Sequence, residues 1–255
     1  MRDALSRDLA GKAVLVTGAS TGIGAAVARA FAECGSRVAI HYNASRDAAE
    51  ALAAEAGGGA FTIRGDFAAP GVAREVVANA AARMGRLDVL VNNAGGLVRR
   101  APVAEVTDEL FDAVLDLNVR SLVMACGAAL PHLRAAGGGA IVNVTSIAAR
   151  NGGGNGATMY AAAKGFVSTF TRGLAKEVVK DGIRVNAVSP GVIATPFHER
   201  YSTPAMLEGV RAQIPMARLG TADECVGAFL FLAAPSLSGY VTGQILEVNG
   251  GQYMP

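Results

Sequence analysis

TGASTGIG, residues 17–24, is the stretch that decides the fold we predict for this chain. It directly follows a short apolar run, residues 13–16, which is typical of a buried parallel strand, and it leads into an Ala-rich amphipathic helix. Amides at the start of such a helix attract phosphates. Gly18 would permit the tight turn, Gly22 the approach of a pyrophosphate, and Gly24 the packing of the helix on the sheet. A purely structural turn is the alternative, and the setting favours phosphate binding.

Further apolar runs alternate with helical patterns along the chain, which predicts the α/β class. After residues 13–16, the predicted strands are 37–42, 61–64, 87–91, 140–145, 183–188 and 244–248. The predicted helices after the first are 72–84, 108–133, 157–179 and 225–232, the last capped by Thr221. No composition shift marks a second domain. We therefore predict one domain over residues 1–255, a doubly wound parallel sheet of seven strands with helices on both faces.

Composition excludes several classes of function. The formal net charge of +2 is too near neutral to suggest a nucleic-acid or membrane surface. The three cysteines are far apart and odd in number, which fits reduced thiols in the cytoplasm better than disulfides. The charged N-terminus lacks the apolar core of a secretory signal, and no apolar run reaches the roughly 18 residues of a membrane span. We expect a cytoplasmic protein, and we predict no metal site.

The predicted helix at residues 157–179 places Tyr160 and Lys164 on one face, because residues four apart on a helix are neighbours. A free tyrosine ionises near pH ~10, and a nearby lysine cation lowers that pKa. Ser146 follows the predicted strand at 140–145 and offers a hydroxyl to a substrate oxygen. Together the three side chains would pass a proton to or from that oxygen while a hydride moves at its carbon. A tyrosine and a lysine that merely share an ordinary helix are the alternative.

The spacing of the glycines points to one family. Three residues separate Gly18 from Gly22, where the usual dinucleotide fingerprint has one. This spacing resembles that of the short-chain dehydrogenase/reductase family. The NNAG segment at residues 92–95 and the set of Ser146, Tyr160 and Lys164 also resemble motifs of that family, so the resemblance extends along nearly the whole chain. The resemblance implies a single Rossmann domain with strand order 3-2-1-4-5-6-7. It also implies hydride transfer between a nicotinamide cofactor and a small carbonyl or secondary alcohol substrate.

The resemblance gives each catalytic residue a role. Tyr160 would be the general acid in reduction and the general base in oxidation. Lys164 would lower the pKa of Tyr160 and bind the nicotinamide ribose, and Ser146 would polarise the substrate oxygen. Asn118, an unfavourable residue in the middle of the predicted helix at 108–133, would complete a proton relay through a water. A plain exposed asparagine is the alternative for this position.

The same resemblance implies a cofactor site. The NNAG quartet would be mainly structural. Asp66 would sit beside the adenine or cap a helix. The segment after the sixth strand would seat the nicotinamide. The predicted cofactor-binding residues are Gly18, Ser20, Thr21, Gly22, Ile23, Gly24, Tyr42, Asn43, Ser45, Arg46, Asp66, Phe67, Asn92, Ala94, Gly95, Tyr160, Lys164, Pro190, Gly191, Ile193 and Thr195.

The end of the second strand favours NADP(H) over NAD(H). Tyr42 and Asn43 stand where an acidic residue would bind the ribose hydroxyls and repel a 2′-phosphate. Asn43 and Ser45 would hydrogen-bond that phosphate, and Arg46 would pair with it. Thr21 argues for NAD(H), because many NADP-preferring members carry a basic residue there. Arg46 as a solvated residue at a helix start is the alternative to a phosphate contact.

The predicted lid, at about residues 195–215, is a mobile segment covering the substrate. His198, Tyr201 and Met206 in this segment are candidate substrate contacts, but ordinary lid surface explains them as well, and none is assigned a role. The sequence leaves the substrate open between a small polar or sugar-like compound and a 3-oxoacyl thioester.

Two other features bear on partners and on other classes of function. The long predicted helices resemble those that the family packs into dimers and tetramers, so we expect a homotetramer. A non-catalytic dinucleotide-binding sensor or scaffold is disfavoured because Tyr160 and Lys164 are both present. A lyase or epimerase with tightly held NAD is disfavoured because the chain lacks a large C-terminal substrate domain.

Overall fold

Seven parallel strands form one sheet in the computed structural model, which describes residues 2–255. The strands are β1 Ala13–Val16, β2 Arg37–Tyr42, β3 Phe61–Arg64, β4 Val89–Asn92, β5 Gly139–Val144, β6 Ile183–Pro190 and β7 Ile245–Val248. Their order is β3-β2-β1-β4-β5-β6-β7, and every neighbouring pair is parallel. The predicted fold class and strand order are confirmed. The order reverses between β1 and β4, so ligands are expected beyond the carboxyl ends of these strands.

Helices cover both faces of the sheet. They are α1 Arg2–Leu9, α2 Gly22–Glu33, α3 Arg46–Ala56, α4 Val72–Met84, α5 Asp108–Leu115, α6 Ser121–Ala135, α7 Ala148–Asn151, α8 Thr158–Val178, α9 Pro196–Tyr201, α10 Pro204–Arg211, α11 Ala222–Ala233 and α12 Pro235–Ser238. One apolar cluster joins α4, α6 and α8 to the sheet, and another joins α2, α3 and α11 to the opposite face. Because strand side chains alternate, Leu15 belongs to the first cluster and Val14 and Val16 belong to the second.

The predicted elements agree closely with the structure where apolar runs are flanked by glycines or charges. The first three strands and α4 have the predicted bounds, and the other predicted ends differ by at most three residues. Thr221 caps α11 through a reciprocal capping box with Glu224, as an N-cap threonine predicts. The lid segment contains α9 and α10, two short helices that each begin with a proline.

The predicted helix at residues 108–133 is interrupted. A π-helical turn, Asp116–Arg120, joins α5 to α6, and Asn118 lies inside it. The whole stretch Asp108–Ala135 is also long and apolar enough to span a membrane by length and composition, so the expectation that no such run exists was wrong. In this structure its inner face, including Ala125 and Leu133, packs into the apolar cluster beneath α4.

Helix α1 was not predicted, because its own sequence is polar. Contacts with distant residues hold it in place: Leu9 is fully buried, and the Ser36 hydroxyl donates a hydrogen bond to its carbonyl at 2.8 Å. The Asp8 carboxylate accepts a hydrogen bond of 2.7 Å from the amide of Ser236. Tertiary packing therefore stabilises a helix that the local sequence does not predict.

Candidate active site

A cavity of about 440 Å³ opens at the carboxyl edge of the sheet. Four segments that follow different strands line it: the turn after β1, the loop after β4, the segment after β5, and the segment after β6. Tyr160 and Lys164 from α8 face the same space. A larger depression of about 550 Å³ lies near the C-terminus, where Arg218 and Glu224 pair with each other. The cavity that contains Tyr160 is the candidate site because the predicted catalytic and phosphate-binding residues meet there.

The turn after β1 is held by close backbone contacts. Gly18 has φ +60°, and a Cβ there would lie 2.9 Å from Cα of Ala94. A Cβ on Gly24 would lie 2.5 Å from Nδ2 of Asn93 and closer still to the carbonyl oxygen of Gly18. Glycine is required at both positions. At Gly18 the left-handed backbone and the short distance to Ala94 both require it, and at Gly24 the short distances to Asn93 and Gly18 alone require it. The predicted packing role of Gly24 agrees with this geometry.

The N-terminus of α2 is open toward the cavity. Its N-cap residue, Thr21, makes no side-chain capping bond, and the first amides of a helix have no acceptor within the helix. Gly18, Thr21, Gly22 and Ile23 line the cavity, whereas Ser20 and Gly24 do not. Unsatisfied amides at a positive helix end fit the pyrophosphate of a dinucleotide. These residues would hold the cofactor's phosphates.

His41, which was not predicted to take part in the site, supports this turn. Its Nδ1 accepts a hydrogen bond from the amide of Gly18 at 3.0 Å, and its Nε2 lies 3.0 Å from the carbonyl oxygen of Gly65. The ring is stacked on Phe67 with centroids 4.0 Å apart. Burial lowers the pKa of His41 to about 4, so the ring is neutral at pH 7 and keeps one donor and one acceptor. A histidine within an apolar strand was the only available signal.

The residues predicted for the adenosine half lie outside the cavity, at the ends of β2 and β3. Asn43, Ser45 and Arg46 are exposed, and Nε of Arg46 pairs with Glu50 at 2.7 Å. Ser45 is the N-cap of α3 and makes no side-chain capping bond. The side chain of Tyr42 is buried in the core beneath α3 and does not reach this surface.

Asp66 and Phe67 also lie at this edge, at the end of β3. Asp66 is exposed, and its Oδ1 accepts a hydrogen bond from the amide of Ala68 at 3.0 Å. Because α4 begins only at Val72, Asp66 caps a turn and not a helix, which corrects one of its two predicted roles. Phe67 is buried against His41, so its ring packs beneath the surface on which an adenine would lie.

The NNAG segment is divided between the sheet and the cavity. Nδ2 of Asn92 donates to Oδ1 of Asn143 at 2.9 Å inside the sheet, so this predicted contact does not face the cavity. Asn93, which was not predicted, lines the cavity and donates to the carbonyl of Gly18 at 2.8 Å. The amide of Ala94 donates to the hydroxyl of Thr17, and Gly95 lines the cavity. The quartet therefore joins β4 to the turn after β1, in agreement with a mainly structural role.

Lys164 is buried beneath Tyr160. Its Nζ donates to the carbonyl of Val144 at 2.8 Å and lies 5.7 Å from the centroid of the Tyr160 ring. The side chain is 3% exposed, and burial lowers the pKa of Lys164 to about 8. An ammonium group has three donors, so two are available to a ligand in the cavity.

Tyr160 differs from the prediction in one respect. Burial raises the pKa of Tyr160 to about 12, and the neighbouring Ser146 hydroxyl lowers it in part. The expected decrease caused by Lys164 is not found, and desolvation of the phenolate sets the direction of the shift. At neutral pH, Tyr160 therefore carries its proton and is suited to donate it.

Ser146 lies at the carboxyl end of β5 and lines the cavity beside Tyr160. Its Oγ accepts a hydrogen bond from the amide of Ala148 at 3.1 Å, so the hydroxyl proton can point at a ligand. The preceding hydroxyl, of Thr145, lies 2.8 Å from the carbonyl oxygen of Lys164 and is engaged there. The segment after Ser146 is fixed to β7 by the ion pair of Arg150 and Glu247 at 2.9 Å.

Asn118 lies inside the π-turn and forms hydrogen bonds with both ends of its side-chain amide. Its Oδ1 accepts from the amide of Gly96 at 3.0 Å, and its Nδ2 donates to the carbonyls of Gly96 at 2.8 Å and Val114 at 2.9 Å. The side chain is 1% exposed, so an exposed asparagine is ruled out. A Cβ on Gly95 would lie between Oδ1 of Asn118 and Nζ of Lys164, at 2.8 and 3.1 Å. Asn118 therefore fixes the loop beside Lys164, and the water relay stays a prediction.

The segment after β6 forms the far wall of the cavity. Pro190, Gly191, Ile193 and Thr195 all line it, as predicted for the nicotinamide end. Ile193 is fixed by a bridge to Gly220. A Cβ on Gly22 would lie 3.4 Å from Cβ of Thr195, so the phosphate turn and this wall face each other across a narrow slot.

The lid helices close the cavity over Tyr160. The ring of Phe197, on α9, lies 5.8 Å from the Tyr160 ring and 5.0 Å from the Tyr201 ring. His198 and Met206 line the cavity, whereas the hydroxyl of Tyr201 faces Gly96. Phe197 was not predicted, because its role depends on a ring that the sequence places far away. Among residues 2–255, no group of three or more His, Cys, Asp or Glu residues is placed to hold a metal ion.

Comparisons with known proteins agree with this geometry. The family described as enoyl-(acyl carrier protein) reductase matches residues 18–252. A 3-oxoacyl-[acyl-carrier-protein] reductase of Synechocystis sp. is 37% identical over 249 residues, which cover 96% of this chain and 98% of that protein.

Two crystal structures of proteins similar to this chain contain a nicotinamide cofactor. The NADH-dependent reductase A1-R′ complexed with NAD is 39% identical, with a TM-score of 0.85, over 98% of this chain and 100% of that one. A short chain dehydrogenase from Burkholderia cenocepacia in complex with NADP is 36% identical, with a TM-score of 0.89, over 96% of this chain and 99% of that one.

Proposed function

Because the chain belongs to the short-chain dehydrogenase/reductase family, we propose that it reduces a small carbonyl substrate with NADPH, using Tyr160 as the general acid. The family makes it an NAD(P)-dependent oxidoreductase that acts on CH–OH groups. The observation that carries the proposal is the meeting of Ser146, Tyr160 and Lys164 in one cavity with the open N-terminus of α2.

Each residue has a distinct part in the proposed reaction. When bound, the nicotinamide supplies the hydride. The Ser146 hydroxyl donates a hydrogen bond to the carbonyl oxygen, and Tyr160 donates its proton to the same oxygen. Lys164 offers its free donors to the cofactor ribose. The helices α9 and α10, within the predicted lid at about residues 195–215, exclude water by closing over Tyr160.

The protonation state of Tyr160 fits its proposed role as the general acid in reduction. A tyrosine whose pKa is about 12 carries its proton at neutral pH and is ready to act as an acid. Oxidation needs the tyrosinate, which is rarely populated at that pH. In the oxidative direction the same residue acts as the base.

The cofactor preference that we propose is NADP(H). Tyr42 and Asn43 supply no carboxylate at the end of β2 to repel a 2′-phosphate. The uncapped N-terminus of α3, with the free hydroxyl of Ser45, is a favourable place for that phosphate. Arg46 would have to exchange its pairing with Glu50 for the phosphate, and both groups are exposed, so this exchange costs little.

The test is a panel of carbonyl compounds assayed with NADPH and with NADH, read by the absorbance of the reduced nicotinamide. The panel should include sugars, short oxo acids and 3-oxoacyl thioesters, since the Synechocystis relative is named for the last class. We expect net cofactor oxidation with at least one class and a kcat/KM at least about 10-fold higher with NADPH, because one charge-assisted hydrogen bond contributes about that factor. Binding of the dinucleotide without turnover of any carbonyl would instead indicate a sensor.

We further propose that the protein acts in the cytoplasm as a homotetramer. Its three cysteines are free thiols, which supports a reducing compartment. Phe111 on α5 and Phe166 on α8 are 43% and 44% exposed, and such apolar side chains on long helices support a helix-packed interface. Light scattering should give four times the chain mass, and a monomer at working concentration would contradict the tetramer.

A further inference from the structure

Arg100 lines the same cavity as Tyr160 but has no part in the proposed reaction. Its Nε donates to the carbonyl of Tyr201 at 2.6 Å, and its Nη1 donates to the carbonyl of Asn155 at 2.8 Å. The guanidinium is therefore fixed between the end of α9 and the loop that precedes α8. Five N–H donors are available on a guanidinium, and Nη2 bonds to no protein group in the part of the chain that the structure describes.

The charge of Arg100 is also uncompensated. No carboxylate among residues 2–255 whose side chains are described lies within 4.0 Å of it, and the residues that line the cavity include neither Asp nor Glu. By contrast, Arg150, which lies near the site, is paired with Glu247. Burial lowers the pKa of Arg100, which reflects the cost of holding this cation away from water. A half-buried cation without a counter-charge is ready to bind an anion.

His198 stands beside Arg100 and adds polarity without adding charge. Its Nδ1 lies 3.0 Å from the hydroxyl of Ser202, and the ring lines the cavity. Burial and the nearby Arg100 cation lower the pKa of His198, so the ring is neutral at pH 7. Apart from Lys164 beneath Tyr160, the cavity therefore presents a single positive charge. One charge matches a carboxylate better than a phosphate monoester, which carries nearly two.

We propose that Arg100 binds a carboxylate of the substrate through the N–H donors of its guanidinium that remain free, so that the enzyme reduces oxo acids to hydroxy acids. This inference rests on the reductase function proposed above. The cofactor's hydride adds to the carbonyl carbon, Tyr160 gives its proton to the carbonyl oxygen, and the carboxylate on Arg100 is unchanged. The carboxylate sets which end of the substrate faces Tyr160, since a guanidinium held in place by two hydrogen bonds offers its remaining donors from a fixed position.

The competing explanation is a purely structural latch, because both present bonds of Arg100 join backbone carbonyls of two segments. A latch and a carboxylate site differ in their substrate dependence. Loss of a latch harms every substrate alike, because it disturbs the lid. Loss of a carboxylate site harms only substrates that carry the carboxylate.

The experiment uses matched pairs of short-chain oxo acids and their methyl esters, assayed with NADPH on four proteins: wild type, Arg100→Met, Arg100→Lys and Arg99→Met. Arg99 is the exposed neighbour and does not line the cavity, so its variant controls for the loss of one positive charge. We expect the wild type to prefer the acids. Arg100→Met should lower kcat/KM for the acid about 10- to 100-fold, mainly through KM, and change that for the ester by less than about threefold.

Arg100→Lys should recover part of the loss, since it keeps the charge but not the planar fork. Equal losses on acid and ester would overturn the proposal in favour of a latch. A wild type that prefers the ester, or a larger Arg100 effect on phosphorylated carbonyl compounds than on oxo acids, would also overturn it.

A binding measurement separates this inference from the proposed function. Calorimetric titration of short hydroxy acids into the NADP⁺-saturated protein measures the contribution of Arg100 to their binding without any turnover. If no carbonyl compound is reduced but the hydroxy acids bind the wild type and not Arg100→Met, the reductase proposal fails and the carboxylate site stands. If reduction occurs but Arg100→Met binds the acids as the wild type does, the carboxylate site fails alone.

Discussion

Replacing Tyr160 with phenylalanine is expected to lower the rate of carbonyl reduction by about 10²- to 10⁴-fold, the usual contribution of a positioned general acid. The phenyl ring keeps the contact with Phe197 that Tyr160 makes at a centroid distance of 5.8 Å, so the lid is preserved. What is lost is the phenolic proton donor that stands beside Ser146. The measurement is the single-turnover rate of NADPH oxidation with the best substrate from the panel.

Cofactor binding should change by less than about threefold in Tyr160→Phe, because α2 and the turn after β1 hold the phosphates. The fluorescence of bound NADPH gives that dissociation constant. Tyr240→Phe is the matched control, since Tyr240 is fully exposed and removal of its hydroxyl should leave turnover unchanged. Turnover that survives in Tyr160→Phe at the wild-type rate would remove Tyr160 from the mechanism.

Replacing Gly24 with alanine is expected to destabilise the protein by about 3 kcal/mol, at the upper end of typical overpacking costs. The new Cβ would lie 2.5 Å from Nδ2 of Asn93 and closer to the carbonyl of Gly18, and both are held by hydrogen bonds and cannot move freely. Displacing the turn should also weaken NADPH binding at least about 10-fold, the value of one lost charge-assisted hydrogen bond. Urea denaturation and fluorescence titration measure the two effects.

The control for this change is Gly227→Ala in α11, the helix that packs beside α2. A Cβ at Gly227 meets no atom within 4 Å, so alanine should stabilise the helix by about 0.5–1 kcal/mol. The two substitutions are chemically identical and should have opposite signs. If Gly24→Ala were as stable as the wild type and bound NADPH as tightly, the close packing of the phosphate turn would not be needed for the fold or the site.

The sequence predicts features that depend on local pattern. Strands such as Ala13–Val16 are continuous apolar runs with clear flanks, and the spacing of Tyr160 and Lys164 follows from one helix. The contacts of His41 and Arg100 could not be predicted in this way. His41 meets Gly18 across 23 positions, and Arg100 meets Tyr201 across 101, so only the folded chain brings these partners together. The raised pKa of Tyr160 has the same origin, because burial is a property of the assembled site and not of the helix.

Because of the π-turn at Asp116–Arg120, the geometry of the active site depends on the number of residues in this stretch of the chain. A π-turn is equivalent to one residue inserted into an α-helix, and each residue of an α-helix accounts for about 100° of rotation. Deleting a single residue there would restore a regular helix, but it would turn the buried face of α6, with Ala125 and Leu133, away from the core relative to α5. It would also withdraw Asn118 from Gly96. Insertions and deletions in this stretch are therefore constrained more tightly than the identity of most of its side chains.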